Sequence, residues 1–380
     1  MCIVRADRQV VSIEPVLFDQ PVEAQRTPEG FRAARCLDPV LDRIAAHFDD
    51  GEAVDHVDIC QHRLHGAVGI DGFDTADRQV HGLDARAAAV PHEGKYGIYV
   101  LDLATGKVKL LYSTDNEIYT SALRLSVQDK LVFSQKIDGE SDENTEIFTI
   151  DINGQSLKRL TDNTYWDLYP TWSPDGVRVA FLSKRDNDFD IYMMNADGSD
   201  QHLFYDSGSH DADIDWAGDT IVFTSGFKIW SIKDDGTGLT QVTNPADAGE
   251  WGQANLPIGD YDPRLRVDGL KIVFERLENP ASVHGDYNIF TINADGTQET
   301  RLTNTNYAQG LASWSHSGDR MVYGVAAVNN AGKYDMYMMN ADGSDNHNVT
   351  PEYFASNFLC HSPIFSQDDS EIYFIGEWFE

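Results

Sequence analysis

From Gly97 onward the chain is a succession of short apolar runs separated by polar turns. The plainest run, DIYMMNADGS over Asp190–Ser199, returns as NIFTINADGT over Asn288–Thr297 and as DMYMMNADGS over Asp335–Ser344. Weaker copies occupy Gly97–Gly106, Glu146–Gly154 and Lys228–Thr237. Each alternates apolar and polar positions around one aromatic residue, the pattern of a strand with one apolar face. Each of the plainest then turns at Asp-Gly, because glycine accepts the positive φ of a tight hairpin. A short strand ending in Leu-Thr or Val-Thr follows at Arg159–Thr161, Gln241–Thr243, Arg301–Thr303 and Asn348–Thr350. After a loop comes YPTWSPDG, Tyr169–Gly176, and then the apolar run Val179–Ser183, which reads as a strand, a Pro-Asp-Gly turn and a second strand. Partial copies of this second half lie at Leu125–Ser134, Asp215–Thr224, Asp262–Phe274, Ser313–Tyr323 and Ser362–Phe374.

The anchor aromatics are Tyr99, Phe148, Tyr192, Trp230, Phe290 and Tyr337, separated by 49, 44, 38, 60 and 47 residues. That period fits one four-stranded propeller blade per repeat. Six copies of each half are present, offset by half a unit. The region opens on an anchor strand and its partner and closes on the Ser/Pro strand and its partner. The sequence therefore predicts an all-β, six-bladed β-propeller of four-stranded antiparallel blades over residues 95–380. The last two strands pair with the first two in a two-plus-two closure that removes the free sheet edges.

The Trp-Ser-Pro-Asp-Gly turn, the aromatic strand ending Asn-Ala-Asp-Gly-Ser and the Arg-Leu-Thr strand resemble the repeats of TolB-type propellers, also described as PD40 or WD40-like. The resemblance covers about three quarters of the chain and is specific for fold. It implies a protein that engages other proteins and is often exported. Similar propellers also gate prolyl-oligopeptidase-like peptidases and scaffold sugar-acid lyases, so the likeness leaves function open. TolB carries an N-terminal α/β domain that residues 1–94 do not resemble.

Composition changes sharply near residue 95. Residues 1–95 hold no Tyr, Trp or Asn, whereas all 16 Tyr and all 7 Trp of the chain follow. With no aromatic cluster to build a core, residues 1–94 are expected to form a disordered or loosely packed extension. Phe31–Phe48 is its one candidate amphipathic helix, interrupted near Pro39. Met1–Gln20 do not read as a secretory signal. The formal net charge of −33 over 380 residues argues against nucleic acid, whose phosphates need clustered Lys and Arg. It equally disfavours an anionic membrane surface, and no apolar run approaches a membrane span. A soluble monomer that suits cations or basic partners is expected. Cys2, Cys36, Cys60 and Cys360 match neither a zinc nor a disulfide framework.

Candidate chemistry falls into four groups. Aligned blades put Thr120, Asp167, Asp211, Asp260, Gln309 and Cys360 at one mouth of the channel. The carboxylates Asp167, Asp211 and Asp260 and the neutral oxygens of Thr120 and Gln309, with Asp213, make a candidate site for calcium or another divalent cation. Asp211, Asp213 and Asp215 alternate, so a regular strand would put all three on one face. The alternative is that these carboxylates cap backbone amides between blades. His210 and His361, beside inner strands and level with Gln309, suggest a metal-dependent enzyme acting on a saccharide or similar polar substrate. His316 replaces the proline of a Pro-Asp-Gly turn and is expected to be exposed. Asp186–Asp190 (DNDFD) resembles the opening of a calcium loop but lacks the glycine at the sixth position and the late glutamate, so it reads as a polar turn. Trp166, Trp251 and Tyr261, the last two in the long insertion between Thr243 and Pro263, are candidate contacts for a protein or small ligand. No Gly-x-Ser-x-Gly elbow or glycine-rich phosphate loop is present. The leading expectation is a non-catalytic binding propeller that engages a protein, peptide or small ligand at a channel mouth.

Overall fold

The computed structural model describes residues 90–379, except 92, 120–122, 138–143, 187, 254–255, 280, 283–284, 306 and 327–333, together with two paired two-residue strands, Arg5–Ala6 and Gln9–Val10. The chain divides into two units, Met1–Asp58 and Ile59–Glu380. The expected helix over Phe31–Phe48 and the expected loose packing of residues 1–89 lie outside the described residues, as does Thr120.

Six four-stranded antiparallel sheets follow from Tyr96. Five are continuous in sequence. Their inner strands are Arg124–Leu125, Asp167–Trp172, Asp211–Ala217, Gly259–Leu265 and Ala308–Trp314. The sixth blade joins the chain's two propeller ends. Phe358–Phe365 and Glu371–Trp378 supply its inner pair, and Tyr96–Asp102 and Val108–Thr114 its outer pair. Seven residue pairs, from Glu371 opposite Asp102 to Glu377 opposite Tyr96, close the ring. The expected two-plus-two closure is the one observed.

The repeated aromatics explain why the two middle strands of every blade hold register. Each anchor faces an aromatic of the neighbouring strand: Phe133 opposite Phe148, Phe181 opposite Tyr192, Phe223 opposite Trp230, Phe274 opposite Phe290, Tyr323 opposite Tyr337, and Phe374 opposite Tyr99. Such directly opposed pairs contribute on the order of 0.5–1.5 kcal/mol each beyond the area they bury. A one-residue slip would turn all of them to the wrong face.

The Leu-Thr and Val-Thr endings have a specific job. The hydroxyls of Thr161, Thr243, Thr303 and Thr350 accept from the amides of Ile147, Ile229, Ile289 and Met336, at 2.9, 3.0, 2.8 and 2.6 Å. A side chain thus continues the ladder where the two-residue outer strand stops. The Asp-Gly turns pack one blade on the next. Gly198 has φ +87°, and a Cβ there would lie 2.5 Å from the Leu160 carbonyl oxygen of the preceding blade.

One feature departs from the regular strands expected. The inner strands of the second to sixth blades each carry one residue in the left-handed region, Tyr169, Asp213, Asp262, Leu311 and Ser362, with φ between 47° and 57°. The ladder shifts register at each of them. The bulge breaks the two-residue period. Asp211, Asp213 and Asp215 therefore do not share one face, as strict alternation had implied.

Candidate functional site

The bulge divides each of these five inner strands into a segment near one channel mouth and a segment near the other. Two residues beyond it lie Thr171, Asp215, Arg264, Ser313 and Ile364, and Arg124 holds the equivalent repeat position in the first blade. All six line a cavity of about 220 Å³. The next residue outward is Leu125, Trp172, Trp216, Leu265, Trp314 or Phe365, so indole, phenyl and leucine side chains form its wall. The turns at its rim present Val127, Val267 and His316 to solvent, the valines 52% and 53% exposed. His316 is exposed, as its place in the turn implied.

Charge is concentrated at the floor. Arg124 Nε lies 3.2 Å from Asp215 Oδ1, and Arg124 Nη1 donates to the Leu123 carbonyl at 2.7 Å. The other Asp215 oxygen accepts from the amide of Leu265 in the next blade at 2.8 Å. Arg264 is 3.8 Å from Asp262 and donates to the Pro263 carbonyl. Burial, and the second guanidinium of Arg264, pull Arg124 down to about 10, against the stabilising charge of Asp215. Sequence reasoning did not single out Arg124 or Arg264. Their signal was two arginines at one repeat position of a strongly acidic chain, where other blades carry Thr, Asp, Ser or Ile.

At the opposite mouth, the carboxylates expected to form a ring are each bonded locally. Asp167 accepts from Ser183 and Asn163 and lies 3.7 Å from Arg185. Asp211 accepts from Ser207. Asp260 is paired with Arg276, which also grips Glu299. Gln309 donates to Thr305, and Cys360 to the Tyr334 carbonyl. Asp213, Asp215 and Glu275 instead cap amides of the following blade, those of Asp262, Leu265 and Leu311. Among the described residues, the ring carboxylates with His210 and His361 form no group within ligating reach of a single ion. The alternative reading of these carboxylates, as caps between blades, holds for Asp213 and Asp215.

Burial of Asp167 raises its carboxyl to about 6, against the hydrogen bonds of Ser183 and Asn163 and the charge of Arg185. His210 Nδ1 accepts from the Phe189 amide at 3.0 Å, and His361 is buried with Nδ1 3.1 Å from Ser362 Oγ. The aromatic candidates separate as well. Trp251 is 54% exposed. Trp166 is buried and stacked on Phe189, and Tyr261 is fully buried with its hydroxyl on the Pro257 carbonyl, so neither is a surface contact.

Among the described residues, His, Cys, Asp and Glu side chains converge in one place only, Asp186, Asp188 and Asp190, whose ligating atoms lie within 4.8 Å of one another. The sequence pattern that resembled a calcium loop is therefore the one the fold gathers.

Residues 87–248 match a family model whose description is TolB beta propeller domain. The chain carries a TolB-like β-propeller. The TolB homolog of Chlorobium chlorochromatii is 36% identical over 92 residues, 24% of this chain and 19% of that protein. The TolB-like propeller is also 26% identical over 225 residues to an uncharacterized protein of Agrobacterium fabrum, covering 56% of this chain and 69% of the relative. Among solved structures, a TolB-designated protein of Agrobacterium tumefaciens superposes with a TM-score of 0.56 at 18% identity, covering 75% of this chain and 99% of that one. TolB of Acinetobacter baumannii gives 0.50 at 17% identity, over 67% and 62%. At these identities the structural likeness shows the fold alone. Among the described residues of the TolB-like propeller, no helix is long and apolar enough to cross a membrane.

Proposed function

We propose that the TolB-like propeller is a non-catalytic binding module that engages a protein, peptide or small ligand at the mouth formed by the inner-strand turns. The observation that carries this reading is the cavity to which all six blades contribute, with Arg124 and Arg264 at its floor and an aromatic wall. The floor offers guanidinium donors beside carboxylate acceptors, and the wall offers indole and phenyl faces, the combination that anchors polar chains at binding surfaces. A rigid ring with its varied residues at one end is also where recognition sits on such scaffolds. An exported location belongs to the same reading and rests on the family resemblance.

The test uses the exposed rim, so the fold is left intact. Val127→Asp combined with Val267→Asp places charge on opposite sides of the mouth. Leu203→Asp combined with Leu239→Asp, at residues 48% and 44% exposed near the outer strands, is the control. Partners are captured by cross-linking in the source cells and quantified by mass spectrometry. Loss of a partner with the rim variant but not with the control supports the mouth. Equal capture by both variants refutes it.

A further inference from the structure

The loop between the second and third strands of the second blade is acidic, and its carboxylates converge. Ser183 ends one strand and Asp190 begins the next. Between them Asp186 is exposed and Asp188 half-buried, while Asp190 is only 1% exposed. Their ligating atoms lie within 4.8 Å of one another, about the span of two oxygen–metal bonds across a calcium ion. Proximity of acids alone would mean little at a solvent-exposed turn.

The decisive feature is Asp190. Its position, just before the apolar run of the anchor strand, is held in the other blades by Gly97, Glu146, Lys228, Asn288 and Asp335, and two of these, Glu146 and Asn288, find donors there. Glu146 accepts from Arg159 and from the Asn163 amide, both at 2.7 Å. Asn288 accepts from the Thr305 amide at 3.0 Å and from Thr303 Oγ1 at 3.2 Å. In the second blade the outer strand runs to Tyr205, whose backbone pairs with Ile191 where other blades place the threonine. Asp190 is left with no hydrogen-bond partner on either carboxylate oxygen. The adjacent Arg185 turns to Ser183, Gln201 and Asp167, and Lys184 lies over the Trp166 and Phe189 rings. A buried carboxylate beside two others, with no donor, is costly unless a cation or protons neutralise it.

Asp211 extends the same chemistry into the third blade. Its Oδ2 is buried without a partner, and its amide donates to the Phe189 carbonyl at 2.9 Å. We infer that Asp186, Asp188 and Asp190 hold a hard divalent cation, calcium in kind, at the seam between the second and third blades. This site is independent of the proposed binding mouth and lies at the opposite end of the sheets. Waters and backbone carbonyls complete the six to eight oxygens calcium takes, and the exposed Asp186 gives the ion access.

The experiment is calorimetric titration of calcium chloride into the full-length protein after EDTA treatment, followed by thermal melts. One equivalent of calcium is expected, with a rise in melting temperature of roughly 5 °C at a hundredfold excess over Kd. Asp186→Asn, at an exposed position that leaves the fold intact, should weaken binding about 10-fold, and Asp190→Asn should abolish it. Terbium offers a second readout, since Trp166 stacks on Phe189 next to the loop and can sensitise its emission. Absence of calcium heat and of terbium emission in the wild-type protein overturns the site. So does an Asp186→Asn variant that binds as tightly as wild type.

Discussion

At the residue scale, the blades treat the same position differently, and those differences hold the chemistry. Asp167, Asp211 and Asp260 occupy equivalent places at the start of three inner strands, yet one is held by hydroxyl and amide donors, one by a serine, and one by an arginine. Asp167 makes a measurable case. Its folded-state pKa, raised to about 6, lies above the 3.8 of the free side chain. An acid raised in this way favours the folded state below its unfolded pKa, and that contribution disappears as pH rises through the folded pKa. Between about pH 4 and 6 Asp167 should therefore remove up to about 3 kcal/mol of stability as pH rises. Asp167→Asn should flatten that part of the curve of melting temperature against pH. Carboxyl-detected NMR should find Asp167 titrating near pH 6, and a value near 4 would show the charge to be better solvated than its burial implies.

At the element scale, the turns and cross-strand aromatics were legible in the sequence because their causes are local. A hairpin glycine, a Pro-Asp-Gly turn and an aromatic at a fixed place in an alternating run each declare themselves within ten residues. The threonine endings were legible as strand ends but not as hydrogen-bond acceptors. Their role appears only when a side chain is seen to stand in for a missing backbone partner. This predicts that Thr303→Val, nearly isosteric, leaves the buried Ile289 amide unpaired and costs about 1–3 kcal/mol. Thr303→Ser should recover most of it. Hydrogen exchange at Ile289 is the direct readout, with faster exchange in the valine variant and near-native protection in the serine one. The inner-strand bulges were invisible for the opposite reason. The left-handed residue at Asp262 or Leu311 is held by a carboxylate from the preceding blade, dozens of residues earlier in the chain, and nothing local marks it. Trp166 and Tyr261 were misjudged in the same way, since the partners that bury them lie in other elements.

At the scale of the whole molecule, the even count of half-repeats carried the closure, while the sites depend on the ring being assembled. Arg124 and Arg264 are far apart in sequence and meet only because the first and fourth blades face each other across the channel. Asp190 becomes a candidate ligand only when blades are compared, since Glu146 and Asn288 find donors at that position and neither oxygen of Asp190 does. Closure itself makes the strongest global claim. The strand Glu371–Trp378 is an inner member of the sixth sheet solely because Tyr96–Asp102 covers it, and the Trp378 indole donates to the Tyr99 hydroxyl at 3.1 Å across that junction. Deleting residues 90–115 would leave an apolar strand with an unpaired edge, the arrangement that invites association between chains. The shortened protein should melt at a lower temperature than the full chain and elute at a larger apparent size. Tyr99→Phe, which removes only the hydroxyl, should elute with the full-length wild type and lose about 1 kcal/mol. Adding back residues 90–115 as a separate peptide should restore the elution of the full chain, because the blade needs those two strands present and does not need them joined to the chain. A deletion variant that melts and elutes as the full chain does would mean that five blades hold the ring without the sixth, and that the pairing of first and last strands is not what closes it.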